Sequence, residues 1–318
     1  MNILIITSRL FCMKEEYITA IRAEASEHTV ICVKDKEVTQ AMIEDAEIIF
    51  GWPGLEALSR ARKLKWLQLP SAGADAIESN EVFYNKDVRV TNSSGVYGLP
   101  IAEHVFSMIL SYNHNLSQYA CYQADKEWKR IYEARDFYGS TIGIIGLGDI
   151  GSEIAKRAKA LGARVLAVKR TKVKLPDYVD ELYTMEDLDI VLRQSDYVVV
   201  CLPNTTKTKG VISKEKLGIM KKDSFLVNIG RGTLIDQEAL IQALRERRIG
   251  GAGLDVTEPE PLPKDSPLWE FPNVIITPHA SGFSPTNGQR HFKIFYDNLH
   301  CYFQNKPLKN LVDLGEGY

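Results

Sequence analysis

The strongest indication of the fold is the segment Thr141-Ile-Gly-Ile-Ile-Gly146-Leu-Gly148-Asp-Ile-Gly151. Its first five residues have the apolar character of a buried strand. Its last six match the pattern G-x-G-x-x-G, and they lead into a helix-patterned segment, Gly151–Leu161. A second strand-like run, Arg164–Val168, comes next. This order of strand, glycine-rich turn, helix and strand predicts a Rossmann unit that binds a dinucleotide.

The glycines of such a turn have separate physical tasks. The first makes the tight turn, the second lets the backbone approach a pyrophosphate, and the third lets the helix pack closely on the strand. The phosphates then meet the positive end of the helix dipole. We therefore expect the cofactor to contact Gly146, Gly148, Asp149, Ile150 and Gly151.

The end of the following strand bears on the choice of cofactor. A carboxylate usually stands there and binds the adenosine ribose of NAD. This chain has Lys169-Arg170-Thr171 instead, with Lys169 23 residues beyond Gly146. Two cations can bind the 2′-phosphate of NADP, which a carboxylate would repel. We predict NADP, with NAD as the alternative if these residues form only a solvated turn.

Short apolar runs alternate with amphipathic helical segments along the whole chain, in two series. The first series is Ile3–Ile6, Thr29–Val33, Glu47–Phe50, Trp66–Leu69 and Val88–Thr91. The second is Thr141–Ile145, Arg164–Val168, Tyr197–Leu202, Phe225–Ile229, Gly250–Leu254 and Val274–Thr277. Continuous apolar strands alternating with helices predict parallel sheets that are covered on both faces.

The glycine-rich turn lies in the middle of the chain, with an α/β unit ahead of it. This position predicts an α/β protein with two doubly wound parallel-sheet domains, one inserted into the other. A flavodoxin-like substrate domain would comprise residues 1–98 and 287–318, and a Rossmann domain residues 99–286. Long helices over Leu99–Lys126 and Asn287–Gln304 would be the crossovers.

The composition is that of a globular protein, with 318 residues of which 45% are hydrophobic and 25% charged. The 39 basic and 41 acidic residues give a net charge of −2, which provides no overall field to attract nucleic acid or membranes. Five cysteines are scattered without a CxxC pair, so we expect neither a disulfide framework nor a metal site. No apolar run reaches about 18 residues, and we predict a cytoplasmic protein.

Three further segments follow the later strands, at the sheet edge where open α/β folds bind ligands. They are Val227-Asn-Ile-Gly-Arg231-Gly-Thr-Leu-Ile-Asp236, Gly253-Leu-Asp255-Val-Thr-Glu258-Pro-Glu260-Pro-Leu-Pro263 and Thr277-Pro-His279-Ala-Ser-Gly282. With the glycine-rich turn, in this order, they resemble the D-isomer-specific 2-hydroxyacid dehydrogenase family, which includes glyoxylate/hydroxypyruvate reductases. The resemblance implies hydride transfer between NAD(P)H and a small 2-keto or 2-hydroxy acid.

The resemblance also implies roles for individual residues. Arg231 would bind the substrate carboxylate and carbonyl oxygen, and His279 would be the general acid/base, paired with Glu260. Asp255 would contact the nicotinamide amide. The loop Ser71-Ala72-Gly73 resembles one whose backbone amides receive the substrate carboxylate.

The predicted chemistry requires these residue types. Hydride arrival turns the carbonyl of a keto acid into an alkoxide, which needs a proton donor active near neutrality, and histidine is such a donor. A nearby carboxylate favours the imidazolium form. A guanidinium holds oxygens in a fixed geometry and remains charged at any working pH.

We also assign Pro203 and Ile229 to the cofactor site.

Several assignments have alternatives. Glu258 competes with Glu260 for His279, although we prefer the residue directly before Pro-Leu-Pro. Asp255 could simply end a strand, and His104 is expected to be structural. A dinucleotide-sensing co-repressor is the alternative function, and a glycine-loop methyltransferase is a weaker one, since it would not require the Arg, Glu and His segments in this order.

The substrate within this class is left open by the sequence. Trp52 near the site would favour small acids such as glyoxylate, hydroxypyruvate or pyruvate, but it could equally be a packing residue. Tyr97 and the Leu268-Trp269 region are further candidates for selectivity. The resemblance implies a homodimer to which Leu99–Lys126 contributes, although the apolar run Ile101–Leu110 could also be an interdomain core.

Overall fold

A computed structural model describes residues 1–9, 11–77, 79–171 and 173–315 of the chain. The chain forms two compact units, Met1–Tyr97 with Phe283–Tyr318, and Gly98–Gly282. The second unit is continuous and interrupts the first. The sequence placed the two junctions after residues 98 and 286, whereas the structure places them after residues 97 and 282.

The strands and helices alternate along the chain. The strands are β1 (Asn2–Thr7), β2 (Thr29–Lys34), β3 (Ile48–Phe50), β4 (Trp66–Gln68), β5 (Arg89–Thr91), β6 (Thr141–Ile145), β7 (Arg164–Val168), β8 (Glu181–Tyr183), β9 (Tyr197–Val200), β10 (Phe225–Asn228), β11 (Gly251–Leu254) and β12 (Val274–Ile276). The helices are α1 (Glu15–Glu24), α2 (Gln40–Asp45), α3 (Leu55–Leu58), α4 (Gly98–Asn113), α5 (Leu116–Ala124), α6 (Asp149–Ala160), α7 (Leu188–Gln194), α8 (Lys214–Ile219), α9 (Gln237–Arg245) and α10 (Asn287–Phe303). In the described ranges, no helix combines the length and apolar character needed to cross a bilayer.

The first unit has a parallel sheet in the order β2-β1-β3-β4-β5, which is the flavodoxin-like order. Alternate residues of β1 enter different cores, with Ile3 and Ile5 on one side of the sheet and Leu4 and Ile6 on the other. A strand buried on both faces must be apolar throughout, which explains the continuous run in the sequence. The predicted flavodoxin-like fold is confirmed.

The second unit has a parallel sheet in the order β12-β11-β10-β9-β6-β7-β8. The run β8-β7-β6-β9-β10-β11 reproduces the Rossmann strand order, and β12 extends it at one edge. The order reverses between β6 and β9, which is the switch point where such sheets bind dinucleotides. The predicted Rossmann domain is therefore confirmed, and its ligand edge is the carboxyl end of these strands.

The predicted long helix Leu99–Lys126 is wrong in one respect, because the chain breaks at Asn115 into α4 and α5. Asn115 has a left-handed φ of 56°, and its side-chain amide donates to the carbonyl of Glu133 at 2.7 Å. Asparagine tolerates this conformation better than most residues. A hydrogen bond to a distant part of the chain therefore ends the helix, although the apolar spacing continues across the break.

Other differences are local. Strand β8, Glu181–Tyr183, was not predicted, because it is a short half-buried strand at the sheet edge with little apolar signal. Helix α2 begins at Gln40, where the Thr39 side chain accepts from the Met42 amide at 3.4 Å and caps the helix. A 3₁₀ turn, Met185–Asp187, directly precedes α7.

Candidate active site

The glycine-rich turn between β6 and α6 has the shape that a pyrophosphate requires. Gly146 has a φ of +111°, and a Cβ there would lie 2.7 Å from the carbonyl oxygen of Cys201. A Cβ on Gly151 would overlap the carbonyl oxygen of Gly146. A Cβ on Gly148, in contrast, would meet no heavy atom of the described residues within 4 Å. The middle glycine thus faces open space beside a helix N-terminus, so the turn fits a bound dinucleotide.

Asp149 and Ile150 open helix α6 directly after Gly148. The Asp149 carboxylate is directed at the first residue of α4, because a Cβ on Gly98 would lie 2.9 Å from its Oδ2. The Asp149 side chain therefore lies against the start of α4. The group of Asp149 that can bind an anion is its backbone amide, at the positive end of the helix dipole.

Lys169 bends back over the glycine-rich turn. Its Nζ donates to the carbonyl of Leu147 at 2.8 Å. An ammonium group has three donors, so two are available beyond this bond. Arg170 and Thr171 follow as exposed residues. Lys169 therefore lies next to the turn, and Arg170 follows it just after β7.

Cys201 supports the turn from the neighbouring strand, a role that the sequence did not indicate. Its thiol donates to the carbonyl of Gly146 at 2.9 Å, and burial raises the pKa of the thiol to about 12. It is therefore a neutral donor at working pH. Pro203 follows on the same loop and accepts from the Thr208 hydroxyl at 2.7 Å, while Ile229 is buried at the end of β10.

Arg231 is held by a rigid turn after β10. The Asn228 side chain donates to the carbonyl of Arg231 at 2.8 Å and accepts from the amide of Gly230 at 3.1 Å. A Cβ on Gly232 would overlap the carbonyl oxygen of Thr257. The Arg231 guanidinium also donates to the carbonyl of Gly230 at 2.8 Å. The turn fixes the backbone from which the guanidinium projects.

His279 and Glu260 form a pair in which Nδ1 lies 3.0 Å from Oε2. The other carboxylate oxygen accepts from the amide of Thr257 at 3.2 Å. The side chains are 51% and 39% exposed, so the histidine is accessible to a ligand. Because Nδ1 is turned to the carboxylate, Nε2 is the nitrogen that is directed elsewhere.

Glu258, the alternative partner, is oriented differently. It is exposed, and its backbone amide and carbonyl are bonded to the side chain of Gln237 at 3.0 and 2.6 Å. The structure thus brings Glu260, and not Glu258, to His279.

Asp255 lies after β11 and holds the loop that carries His279. Its carboxylate is almost fully buried and accepts from the amides of Ala280 at 2.8 Å and Ser281 at 3.1 Å. The Thr277 hydroxyl donates to it at 2.6 Å. His279 itself has a φ of +51°, a conformation that costs free energy in a non-glycine residue and must be imposed by its surroundings. The Asp255 carboxylate thus binds the loop that carries His279.

The residues of the candidate site lie at the carboxyl ends of the strands of one sheet. Gly146 follows β6, Arg231 follows β10, Asp255 follows β11 and His279 follows β12. The strands are parallel, and β10, β11 and β12 are direct neighbours. In the described residues, no group of three His, Cys, Asp or Glu side chains is arranged to hold a metal ion.

The loop Ser71–Gly73 of the first unit uses its carbonyls internally. Four successive carbonyls accept hydrogen bonds of 2.5 to 2.9 Å. The donors are the Tyr97 hydroxyl to Pro70, the Ser93 amide to Ser71, the Asn92 side chain to Ala72 and the Ser71 hydroxyl to Gly73. In a trans peptide the N–H points away from the preceding C=O. The amides of residues 71–74 are therefore directed away from these donors.

Tyr97 acts in this support, although the sequence suggested it for selectivity. Its hydroxyl bridges Pro70 and His291 Nε2, the latter at 3.2 Å. Burial raises the pKa of Tyr97 to about 12 and lowers that of His291 to about 4, so both are neutral at working pH. Leu268 is buried, whereas Trp269 is 53% exposed. Trp52 is 37% exposed after β3.

The family model described as "D-isomer specific 2-hydroxyacid dehydrogenase, NAD binding domain" matches residues 106–281. A glyoxylate reductase of Korarchaeum cryptofilum is 34% identical over 264 residues, which cover 81% of this chain and 79% of that protein. The chain belongs to the D-isomer-specific 2-hydroxyacid dehydrogenase family.

Solved structures of family members are also similar to this dehydrogenase. A member from Aeromonas salmonicida superposes with a TM-score of 0.86 at 30% identity, covering 98% of this chain and 99% of the other. A member from Xanthobacter autotrophicus, in complex with NADPH and MES, has a TM-score of 0.83 at 28% identity, covering 99% of each chain. The predicted family, the enzyme class and an NAD(P) cofactor are confirmed, and the comparisons give no support to a co-repressor.

Proposed function

We propose that this dehydrogenase reduces glyoxylate, hydroxypyruvate or a 2-keto acid of similar size to the corresponding 2-hydroxy acid, in the D configuration where the hydroxyl carbon is chiral, with NADPH as the preferred reductant. The observation that carries the proposal is the Glu260–His279 pair, with 3.0 Å between Oε2 and Nδ1. The pair leaves an oriented and accessible Nε2 at the ligand edge of a dinucleotide-binding sheet. The K. cryptofilum relative is named a glyoxylate reductase, which supports this choice of substrate.

His279 is proposed as the general acid of the reduction. The bound nicotinamide supplies a hydride to the carbonyl carbon, and one proton must then reach the carbonyl oxygen. We assign that proton to Nε2, since Nδ1 is directed at Glu260. The net reaction consumes the keto acid, NADPH and H⁺, and yields the hydroxy acid and NADP⁺. Because the side chain is half exposed, the histidine can regain its proton from water before the next turnover.

Arg231 is proposed to bind the substrate carboxylate and the carbonyl oxygen. Negative charge develops on that oxygen during hydride arrival, and a fixed cation stabilises it more than it stabilises the neutral carbonyl. The support is the rigid Gly-Arg-Gly turn, which holds the arginine backbone between Asn228 and Thr257. A flexible surface arginine would not be preorganised in this way.

The loop Ser71-Ala72-Gly73 is proposed to receive the substrate carboxylate through its backbone amides. Its carbonyls are all engaged within the first unit, so its N–H groups are directed outward. Successive outward N–H groups form a concave anion site. Trp52, which is partly exposed after β3, is proposed to limit the size of the acid.

The glycine-rich turn, Pro203, Ile229 and Asp255 are proposed to hold the cofactor. The support for NADPH is the position of Lys169, whose ammonium lies against the turn and retains two donors for a phosphate. Arg170 would add a second cation, with Thr171 beside it. The Asp255 oxygen Oδ2 accepts from the Ser281 amide, and we assign its remaining lone pair to the nicotinamide amide.

A homodimer is proposed from the surface of the segment after α5. Trp128 is 95% exposed and lines a groove of ≈600 Å³ together with Tyr119 and Tyr122, and Tyr132, four residues further along the chain, is 80% exposed. A contiguous exposed apolar patch on a folded protein marks an interaction site. The occupant that the family resemblance implies is a second copy of this chain.

The first experiment measures the oxidation of NADPH and of NADH, by loss of absorbance, with glyoxylate, hydroxypyruvate and pyruvate in parallel. Faster oxidation of NADPH with one acid, which is lost in His279→Ala, is the expected result. Cofactor binding without turnover of any of the three acids would contradict the substrate class. Faster turnover with NADH would contradict the cofactor choice.

A further inference from the structure

His104 lies on α4, outside the residues assigned to catalysis, and a single hydroxyl group connects it to Asp255. Its Nε2 lies 3.0 Å from Oγ1 of Thr277, which in turn donates to Oδ1 of Asp255 at 2.6 Å. The same Nε2 is 3.9 Å from Oδ1. The histidine side chain is 23% exposed, so its neighbours and not bulk water determine its orientation.

The acceptors around Asp255 fix the direction of these hydrogen bonds. Oδ1 of Asp255 also accepts from the backbone amides of Ala280 and Ser281, so it acts as an acceptor. The Thr277 hydroxyl has one hydrogen, which is used on that oxygen. His104 must therefore carry a proton on Nε2 and donate it to Thr277. The order of donation runs from His104 through Thr277 to the Asp255 carboxylate.

The far end of this connection is the loop of His279. Asp255 binds the two amides that follow His279, and its carbonyl accepts from the His279 amide at 2.8 Å. His279 has a left-handed φ of +51°, which persists only where the surroundings over-determine it. The orientation of the Asp255 carboxylate thus sets the backbone from which the imidazole projects.

The position of His104 is set by packing of α4 on β11. Met108 lies one helical turn after His104 on the same face. A Cβ on Gly253 would lie only 2.9 Å from its Sδ, so the helix approaches the strand at a residue without a side chain. Asp255 follows Gly253 by two residues, which brings it level with His104. The donor is therefore held in place before any ligand binds.

We propose that His104 is a positioning residue for the acid/base histidine: its Nε2–H orients Thr277 and Asp255, and Asp255 holds the loop that presents His279. This inference rests on the proposed function, because it connects His104 to the reaction through His279. If His104 only packed against its neighbours, any side chain of similar volume could replace it. The positioning role requires a side chain that can donate a hydrogen bond to Thr277. The two possibilities predict different results for substitutions that keep or remove an N–H.

The first test compares His104→Leu, which removes the donor, with His104→Gln, whose amide N–H can replace it. The kcat of NADPH-dependent glyoxylate reduction should fall about 10- to 100-fold in His104→Leu, the scale of a small misplacement of a reacting group. The KM for glyoxylate and the Kd of NADPH should change much less, and His104→Gln should recover most of the kcat. His114→Leu, an exposed histidine just after the same helix, is the matched control and should behave as the wild type.

A double variant distinguishes action through Thr277 from an independent effect. If His104 acts through the hydroxyl, His104→Leu with Thr277→Val should lose no more kcat than the more damaging single variant. Losses that multiply would overturn the proposal. A wild-type kcat in His104→Leu would overturn it as well.

A second readout does not depend on turnover. Amide hydrogen exchange at Ala280 and Ser281 should become faster in His104→Leu and remain slow in His114→Leu, while the core amides of β10 keep their protection. Unchanged exchange at these two amides, or loss of protection throughout the sheet, would contradict the positioning role. If the wild type reduced no keto acid, the proposed function would fail, and exchange would still decide the role of His104 in the loop.

Discussion

Oε2 of Glu260 lies 3.0 Å from Nδ1 of His279, while Oε1 of the same carboxylate accepts from the amide of Thr257. The carboxylate is thus held from its own loop and presents one oxygen to the imidazole. This arrangement determines which ring nitrogen is turned to the carboxylate and which is directed to a ligand. It makes the consequences of single substitutions specific enough to test.

Replacing His279 by alanine should lower kcat by about 10²- to 10⁴-fold, which is the usual contribution of a positioned general acid/base. The Kd of NADPH, measured by fluorescence titration, should stay near the wild-type value because the glycine-rich turn is intact. The matched control is His300→Ala. This histidine, on α10, also pairs with a carboxylate, since its Nδ1 lies 2.9 Å from Oε1 of Glu24 on α1. Equal kcat values for the two variants would exclude His279 as the acid.

Replacing Glu260 by glutamine should reduce kcat by about tenfold or more, because the neutral amide no longer offers Nδ1 of His279 the charged acceptor that orients the ring. The same change at Glu258 should have little effect, since that exposed side chain is not the partner of His279. Steady-state kinetics of the two variants test the assignment directly. A larger loss in Glu258→Gln would reverse it.

Replacing Arg231 by lysine keeps the charge and removes the planar pair of donors. Both a higher KM for the keto acid and a kcat lower by about 10²-fold are expected, since the guanidinium would act on the carboxylate and on the developing alkoxide. Arg245→Lys, an exposed residue in the last turn of α9, serves as the control. Unaltered kcat/KM in Arg231→Lys would remove Arg231 from the site.

Changing Lys169 to aspartate together with Arg170→Ala should reverse the cofactor preference. Charge-assisted hydrogen bonds contribute about 1.5–3 kcal/mol, so the ratio of kcat/KM for NADPH to that for NADH should fall about 10- to 100-fold. Lys174→Ala removes an exposed cation a few residues further along and should leave the ratio unchanged. The same ratio in the double variant and the wild type would rule out this phosphate site.

Replacing Trp128 by aspartate should dissociate the proposed dimer, because a carboxylate in an apolar interface is desolvated without a partner. Analytical ultracentrifugation at micromolar concentration should show a dimer for the wild type and a lighter species for the variant. Tyr84→Asp changes another exposed aromatic residue, 57% exposed in the first unit, and should remain dimeric. A monomeric wild type would refute the dimer itself.

The sequence predicted those parts of the fold that depend on residues close together along the chain. Apolar runs such as Ile3–Ile6 and Thr141–Ile145 become strands buried on both faces, because side chains alternate between two cores. The glycine-rich turn has the φ and the close approaches that its three glycines allow. The helix break at Asn115 was not foreseen, since it depends on a hydrogen bond to Glu133, 18 residues away.

The order of the motifs along the chain predicted the family, the two doubly wound sheets and the set of candidate residues. Folding established how those residues are used: Glu260 rather than Glu258 reaches His279, and Asp255 holds the histidine loop with His104 connected to it through Thr277. It also turned the carbonyls of Ser71–Gly73 inward. These relations join residues that are far apart in the chain, and their hydrogen bonds depend on strand order and loop conformation, which local residue patterns do not encode.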